Sequence, residues 1–536
     1  MTDRDELGTW DYVIVGAGSA GCVLANRLSA NGRDRVLLLE AGGSDNYHWI
    51  HIPVGYLYCM GNPRTDWGFT TRAEPGLNGR VLAYPRGRVL GGCSSINGMI
   101  YMRGQAADYD NWRQAGNPGW GWEDVLPLFR KSEDHHGLDG PYHGQGGELR
   151  VERQRLHWPI LDAVREAALE LGVPKVEDFN SGDNEGSSYF EVNQKGGFRF
   201  NAARAFLRPV RHRPNLKIVT GAQAERIRFA GKRATSLALR LNGRPAEVAI
   251  GKELILSAGS IGSPQLLQVS GVGSTGLLRE LDVPIVHELP GVGENLQDHL
   301  QLRTIFRISG ARTLNEWQAR WHGKAQIALQ YALWRKGPMS MAPSQLGIFM
   351  RSDARFATPN IEFHVQPLSL DRFGTPLHDY PAITVSVCNL RPEARGHVRI
   401  QSPDPFAPPE IAPNYLSTEE DRRVAVESIA AARRLMATRR MQEFRPLETK
   451  PGAEIVSPED LARAAGDIAT TIFHPVGTAK MGTDPMAVVD PTLKVHGLGG
   501  LRVVDASIMP NIVSGNTHAP AVMIGEMAAK FIAAGQ

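Results

Sequence analysis

At 536 residues, with a formal net charge of +3 and 42% hydrophobic residues, the chain has material for two domains with ample cores. The near-balanced charge gives no case for nucleic acid, because Lys and Arg occur in short runs among carboxylates and read as solvated faces. Four cysteines (Cys22, Cys59, Cys93, Cys388) are too few and too scattered for a disulfide framework or a zinc site, so reduced thiols and no metal are expected. The polar start MTDRDELGTW predicts no signal peptide, and no run of about eighteen apolar residues is present to span a bilayer. The expectation is a cytoplasmic protein, free or peripheral to a membrane.

In chain order, residues 10–43 read first, as one dinucleotide-binding βαβ unit. Tyr12-Val13-Ile14-Val15, starting about eleven residues in, suits a buried parallel strand. It feeds Gly16-x-Gly18-x-x-Gly21. There the first glycine allows a tight turn, the second lets a pyrophosphate approach the backbone, and the third lets the helix pack on the strand. The helix through Leu24, Ala25 and Leu28 is expected to end near Gly32. A second strand, Val36–Leu39, delivers Glu40 nineteen residues past Gly21, where such units carry the acid that accepts hydrogen bonds from a ribose. One adenine dinucleotide, flavin or nicotinamide, is expected.

Regular βαβ alternation then stops. Residues 51–105 are rich in Gly, Pro and Arg, a long loop-like stretch that suits function. Residues 107–131 look helical, with Trp112, Trp120 and Trp122 as apolar bulk. Leu216–Val219, Glu253–Ser257 and Pro284–His287 read as strands, with an apolar stretch 263–269 between the last two. Gly271-x-Gly273-x-x-Gly276 repeats the glycine pattern, but the segment behind it is too short for a crossover helix, so no second nucleotide site is expected. Asn360–Gln366, Ala382–Cys388 and Gly396–Ile400 predict an antiparallel sheet. Ser417 as N-cap with Glu420 at N3 predicts a helix striped by Val426, Ile429 and Met436. A strand at Leu501–Val504 and a helix from Pro520 close the chain.

Four blocks resemble the glucose–methanol–choline oxidoreductase family of FAD enzymes, across essentially the whole length. They are VGAGSAG…LLEAGG at the start, Gly87-Arg-Val-Leu-Gly-Gly-Cys-Ser-Ser-Ile-Asn-Gly-Met-Ile100, and Gly259-Ser-Ile-Gly-Ser-Pro-Gln-Leu-Leu-Gln-Val-Ser-Gly-Val-Gly273. The fourth is His474-Pro-Val-Gly477 with Val504-Asp-Ala-Ser-Ile-Met-Pro and Asn516-Thr-His-Ala-Pro520. Among members, bacterial choline-dehydrogenase-like and alkanol-dehydrogenase-like proteins look most similar.

The resemblance implies an α/β fold (α+β overall), with a Rossmann-like FAD-binding domain built from discontinuous segments and a substrate domain carrying an antiparallel sheet. The division read from it is 9–156, 199–310 and 466–536 for FAD, and 157–198 and 311–465 for substrate. It also implies the cofactor residues. Gly16, Gly18, Ser19, Ala20, Gly21, Glu40 and Ala41 belong to the dinucleotide unit. Trp67, Arg88, Gly92 and Asn97, Gly98, Met99 and Ile100 are flavin-side, while Ala224, Ser257, Asp505 and Ala506 reach the ADP half or pyrophosphate. Pro520 opens a helix whose positive end would favour the negative charge of reduced flavin. Some relatives place a flavin-bonded histidine directly before the Asn97 position; here it is Ile96, so FAD is expected to be non-covalent.

Oxidising an alcohol through flavin requires the hydroxyl proton to be removed, and imidazole suits that task. Relatives carry His–Asn or His–His at the paired positions. His474 is therefore read as general base and His518 as the partner holding the substrate oxygen, with Asn516, two residues away, the competing polar group. His364 is more expected as a satisfied core or surface histidine than as pocket lining, and His299 as a structural hydrogen-bonding group. His135, His136 and His143 sit in a polar loop. Met339, Met341 and Trp334 are candidates for a pocket entrance.

The function implied is FAD-dependent oxidation of a CH–OH group to an aldehyde or ketone. Ile472 and Phe473 are bulky enough to crowd oxygen, which favours a dehydrogenase passing electrons to a quinone or other carrier. An oxidase making hydrogen peroxide is the alternative. A non-redox flavin lyase or photodecarboxylase, and a flavin-binding protein without catalysis, stand further off.

Overall fold

Two seven-stranded sheets carry the computed structural model, which describes residues 5–137, 140–372 and 374–536. Across the first sheet run Ala222–Ala230, Arg233–Leu241, Arg244–Leu256, Asp5–Val15, Val36–Glu40 and Leu216–Thr220, with Leu501–Val503 also pairing on Arg244–Leu256. Its centre is parallel: Asp5–Val15 lies between Arg244–Leu256 and Val36–Glu40. Val13, Ile14, Leu37, Leu38, Leu254 and Ile255 have no exposed surface, as continuous apolar strands covered on both faces require. The helix Ser19–Leu28 packs against the C-terminal helix His518–Ala533, so the two ends of the chain meet at one site.

The second sheet is antiparallel, in the order Leu447–Lys450, Leu300–Arg307, Ala382–Asn389, Ile361–Gln366, Leu346–Met350, Gly186–Tyr189. Strand alternation gives it two unlike faces. Ile361, Phe363 and Val365 enter an apolar core with Val385, Val387, Val424 and Leu435, while Glu362, His364 and Gln366 point the other way. One large cavity, about 540 Å³, is walled by both sheets and by the loops at the parallel strand ends.

Several boundaries differ from the sequence reading. The first strand begins at Asp5, extended by its pairing with 246–250. Leu300–Arg307 and Ala469–Thr471, grouped by the sequence division with the dinucleotide unit, pair in the second sheet. His397–Arg399 does not join that sheet. It pairs with Glu410–Ala412 in a separate ladder, across a turn holding Pro403, Pro405 and Pro408. Thr418 rather than Ser417 caps the helix Glu419–Ala437, its hydroxyl accepting from Asp421 N at 3.1 Å. The C-terminal helix starts at His518, with Pro520 still inside the first turn, where N–H groups have no helical partner. Pro284–His287 shrinks to a two-residue ladder at His287–Glu288. All four cysteines are unpaired.

Candidate active site

At one end of the cavity the backbone leaves no room for side chains. Gly16 has φ +100, and a Cβ there would lie 2.4 Å from Ser257 O. A Cβ on Gly92 would lie 2.7 Å from Gly18 Cα. At Gly21 it would lie 2.0 Å from Gly16 O, so this glycine serves helix–strand packing and does not itself line the cavity. Gly16, Gly18, Ser19 and Ala20 do line it, as do Glu40 and Ala41. The Glu40 oxygens accept from Ala17 N at 3.0 Å and Gly42 N at 2.8 Å. Burial nevertheless raises this carboxyl to about 7.

Trp67, Arg88, Gly92, Ala224, Ser257, Asp505 and Ala506 continue the wall, with the Arg88 guanidinium 4.8 Å from the Trp67 ring centre. Asp505 is wired to its neighbours, accepting from Gly259 N at 2.9 Å and Ser263 Oγ at 2.6 Å. Three helices present their first residues to the cavity, at Ser19, Gly259 and His518. Such ends attract anions. Pro520 itself is not in the wall, although Ala521 is.

At the other end stand Asn97, Gly98, Met99 and Ile100, with Ile96 behind them, all reaching the cavity. Met99 holds φ +64, and Asn97 Oδ1 accepts from Met99 N at 2.9 Å and from Arg199 Nη1 at 2.8 Å. Facing them is His474, delivered by the loop after Ala469–Thr471. Buried Asp298 holds that loop: Oδ1 accepts from His474 N at 2.7 Å, and Oδ2 accepts from Thr471 Oγ1 at 2.6 Å and Tyr84 OH at 2.9 Å, as well as from Tyr415 OH.

The imidazole of His474 is placed from both sides. Its Nδ1 lies 3.1 Å from His299 Nδ1, and its Nε2 lies 3.2 Å from Asn516 Nδ2. His299 Nε2 is 3.1 Å from Leu390 O, which can only accept, so the His299 proton is on Nε2. His299 is neutral, held at about 4 by burial, and its Nδ1 therefore accepts. The His474 proton must then sit on Nδ1, leaving a lone pair on Nε2 toward Asn516. Burial, and after it His299, His364 and Arg86, hold His474 well below the usual imidazole range.

His518 lines the same cavity but does not pair with His474. Its Nδ1 is bound to Ser19 Oγ at 2.8 Å in the glycine-rich turn, and burial holds it at about 4. The group within hydrogen-bond distance of His474 Nε2 is Asn516, where the sequence expectation has His518. The turn into the helix separates two positions only two residues apart, and no local pattern reveals which one faces His474.

Other expectations also change. His364 is in the cavity wall, with Nε2 3.2 Å from Glu362 Oε1. His299 does make a structural hydrogen bond, to Leu390, but also orients His474. His135 and His143 are buried, not loop-exposed: His135 meets Glu191 at 2.9 Å, and His143 bridges Glu133 at 3.2 Å and Asp178 at 3.1 Å. Met341 packs in the core of the second sheet and Trp334 is exposed; neither lines the cavity. The sequence reading missed Asp298, Arg199 and Gln301. Asp298 directly precedes His299, the one residue nearby that the sequence singles out.

A flavin dinucleotide fits this setting. Glycine backbone at Gly16, Gly18 and Gly92 forms a cradle that side chains would fill. His518 Nε2 and Asn516 Oδ1 are buried without hydrogen-bond partners among the described residues, which suits a polar heterocycle.

Comparison with known proteins agrees. The GMC oxidoreductase family models match residues 10–301 and 392–525. An alcohol dehydrogenase [acceptor] of Pseudomonas putida is 41% identical over 98% of this chain and 95% of its own length. An oxygen-dependent choline dehydrogenase of Photobacterium profundum is 39% identical over 98% of this chain and 93% of its own. Among solved structures, pyridoxine 4-oxidase from Mesorbium loti superposes with a TM-score of 0.88 at 33% identity, over 97% of this chain and 98% of that one. The formate oxidase of Aspergillus oryzae gives 0.92 at 26% identity, over 100% and 99%. The chain therefore belongs to the GMC oxidoreductase family and is an FAD-dependent oxidoreductase acting on CH–OH groups.

Proposed function

We propose that His474 is the general base and Asn516 the oxygen-holding group of a dehydrogenase for uncharged alcohols, with FAD bound non-covalently. The observation that carries this reading is the fixed tautomer: His474 Nε2 is a buried lone pair 3.2 Å from the Asn516 amide. A substrate hydroxyl spanning the two donates its proton to Nε2 while its oxygen accepts from Asn516 Nδ2. His299 Nδ1 accepts from His474 Nδ1, which keeps the ring turned with Nε2 toward the substrate. Asp298, clamping the His474 backbone, limits the drift of the ring. Bound FAD supplies the acceptor for the hydride.

Gly16, Gly18, Ser19, Ala20, Glu40 and Ala41 hold the adenosine and pyrophosphate side, with Gly21 keeping the turn tight. Ala224, Ser257, Asp505 and Ala506 stand along it. Trp67, Arg88, Gly92 and Asn97–Ile100 hold the flavin side, where Ile96 offers no atom for a covalent bond. In this division the first sheet holds the cofactor and the polar face of the second sheet walls the substrate.

Charge supports an uncharged substrate over a quaternary ammonium. The carboxylates lining the cavity are Glu40, Glu225 and Asp505, all on the dinucleotide side among the described residues. Near His474 the wall offers Gln301, Gln366, Ser344, His364 and Tyr56 instead. Glu362 is fully buried and faces His364. Ile472 and Phe473 line the cavity beside the base and support electron delivery to a quinone or other carrier over oxygen.

Anaerobic mixing with a primary alcohol should bleach the yellow enzyme, choline should bleach it far more slowly, and His474→Ala should slow bleaching by about 10²–10⁴. Unchanged bleaching in that variant would remove His474 as base.

A further inference from the structure

The helix Trp321–Trp334 is apolar on both sides. Gly323, Ile327 and Tyr331, four residues apart, face the protein, and Tyr331 OH donates to Gly197 O at 3.0 Å. The opposite face carries Trp321, Ala325, Ala328, Leu329, Ala332 and Leu333, all exposed. Trp321 is 81% exposed, Leu333 60%, Trp334 58% and Leu329 56%. A helix apolar all round is ordinarily buried, and a contiguous exposed patch of this kind marks an interaction surface.

The helix leads on toward the cavity wall. The turn Pro338–Ser340 that follows the helix packs on Pro53–Gly55, which leads into Tyr56–Cys59. There Leu57 and Tyr58 are exposed while Tyr56 lines the cavity, as does Pro343 a few residues past the helix. Charge narrows what can cover it. Arg320, Lys324, Arg335 and Lys336 flank the face, and no Asp or Glu occurs between Glu316 and Asp353. A second copy of the same face would set like charges against one another. An anionic partner would not, and tryptophans at both ends of a basic apolar helix suit the boundary between headgroups and acyl chains. No helix among the described residues is long and apolar enough to cross a membrane, so such a contact lies along the surface.

We propose that this face seats the enzyme on an anionic lipid bilayer, with the Trp321–Trp334 helix lying in the interface beside the cavity wall at Tyr56 and Pro343. This goes beyond the catalytic reading and stands without it.

The holoenzyme should co-sediment with phosphatidylcholine vesicles containing a quarter phosphatidylglycerol, and bind pure phosphatidylcholine vesicles at least 10-fold more weakly. Leu329→Gln/Leu333→Gln and Lys324→Glu/Lys336→Glu should each weaken binding to the anionic vesicles at least 10-fold. Dye-linked turnover of a water-soluble alcohol should be unchanged in both, which reports an intact fold and keeps the result independent of the acceptor. Failure of the wild type to bind anionic vesicles would overturn the proposal, as would binding unaffected by either double variant. So would sedimentation velocity showing a dimer that Leu329→Gln/Leu333→Gln converts to monomer while vesicle binding persists.

Discussion

His299 and His474 meet nitrogen to nitrogen, Nδ1 to Nδ1, at 3.1 Å, and one arrangement of protons satisfies both. Because the Leu390 carbonyl accepts from His299 Nε2–H, the proton between the two rings belongs to His474. A residue outside the cavity wall thereby determines which nitrogen of the base faces it.

His299→Ala should therefore slow flavin reduction by about 10–100-fold while FAD content stays near normal, since a freed ring can adopt the wrong tautomer. Its second signature is in pH. His299 is one of the groups that depress His474, so its removal should move the acid limb of the reduction rate to higher pH. Stopped-flow reduction across pH 5–8 reads both. An unmoved acid limb would reduce His299 to a packing role.

Acid should destabilise the protein through its buried neutral histidines. His299 and His518 are held at about 4, and His474 well below its ordinary value, in each case mainly by burial. The unfolded chain takes up these protons near 6.5 and the folded chain does not. Stability from this source is complete above about pH 6.5 and is lost as pH falls toward 4. Thermal unfolding at successive pH values should show Tm falling over that window, and His518→Gln should flatten the fall.

Alkali should act on a different histidine. Burial alone would lower His143, but hydrogen bonds to Asp178 and Glu133 outweigh it and hold the imidazole at about 9. A raised value reverses the sign: the contribution is complete below about 6.5, is lost as pH rises through 9, and amounts to about 3 kcal/mol at most. His143→Gln should lower Tm at pH 6 and have little effect at pH 10. Equal effects at both would mean the ring contributes by packing, not charge.

Ile96 is buried and reaches the cavity, and its side chain has no nucleophilic atom. Acid precipitation should leave a colourless pellet and a yellow supernatant. Flavin retained on the pellet would contradict non-covalent binding.

How much was legible in the sequence depended on the range of the interaction. Gly16, Gly18 and Gly21 were readable because each meets a backbone constraint within a few residues, as the Cβ contacts show. Glu40 was readable because the second strand and the first glycine turn lie close in sequence. The hairpin 222–241 was not: Leu237 and Leu239 alternate and are buried in its second strand, but Gln223, Glu225, Arg226 and Arg228 leave the first without a strand-like apolar run. The helix Trp321–Trp334 was missed for the opposite reason: its apolar residues surround the axis and show no helical period. Asp298, His299 and Asn516 converge on His474 from remote parts of the chain. Family-like motifs placed their neighbourhoods, but which atoms meet is a property of the folded site.

The reading rests on His474 working with Asn516 and not with His518, and anaerobic stopped-flow flavin reduction in Asn516→Ala beside His518→Ala tests it most directly. Asn516→Ala leaves the substrate oxygen without its donor and should cost roughly 2–4 kcal/mol of barrier, about 30–1000-fold in the reduction rate. His518→Ala removes a bond to Ser19 and should chiefly weaken FAD retention, with reduction of the remaining holoenzyme within about 10-fold of wild type. The reverse order, a near-normal Asn516→Ala and a crippled His518→Ala at full FAD occupancy, would contradict the account.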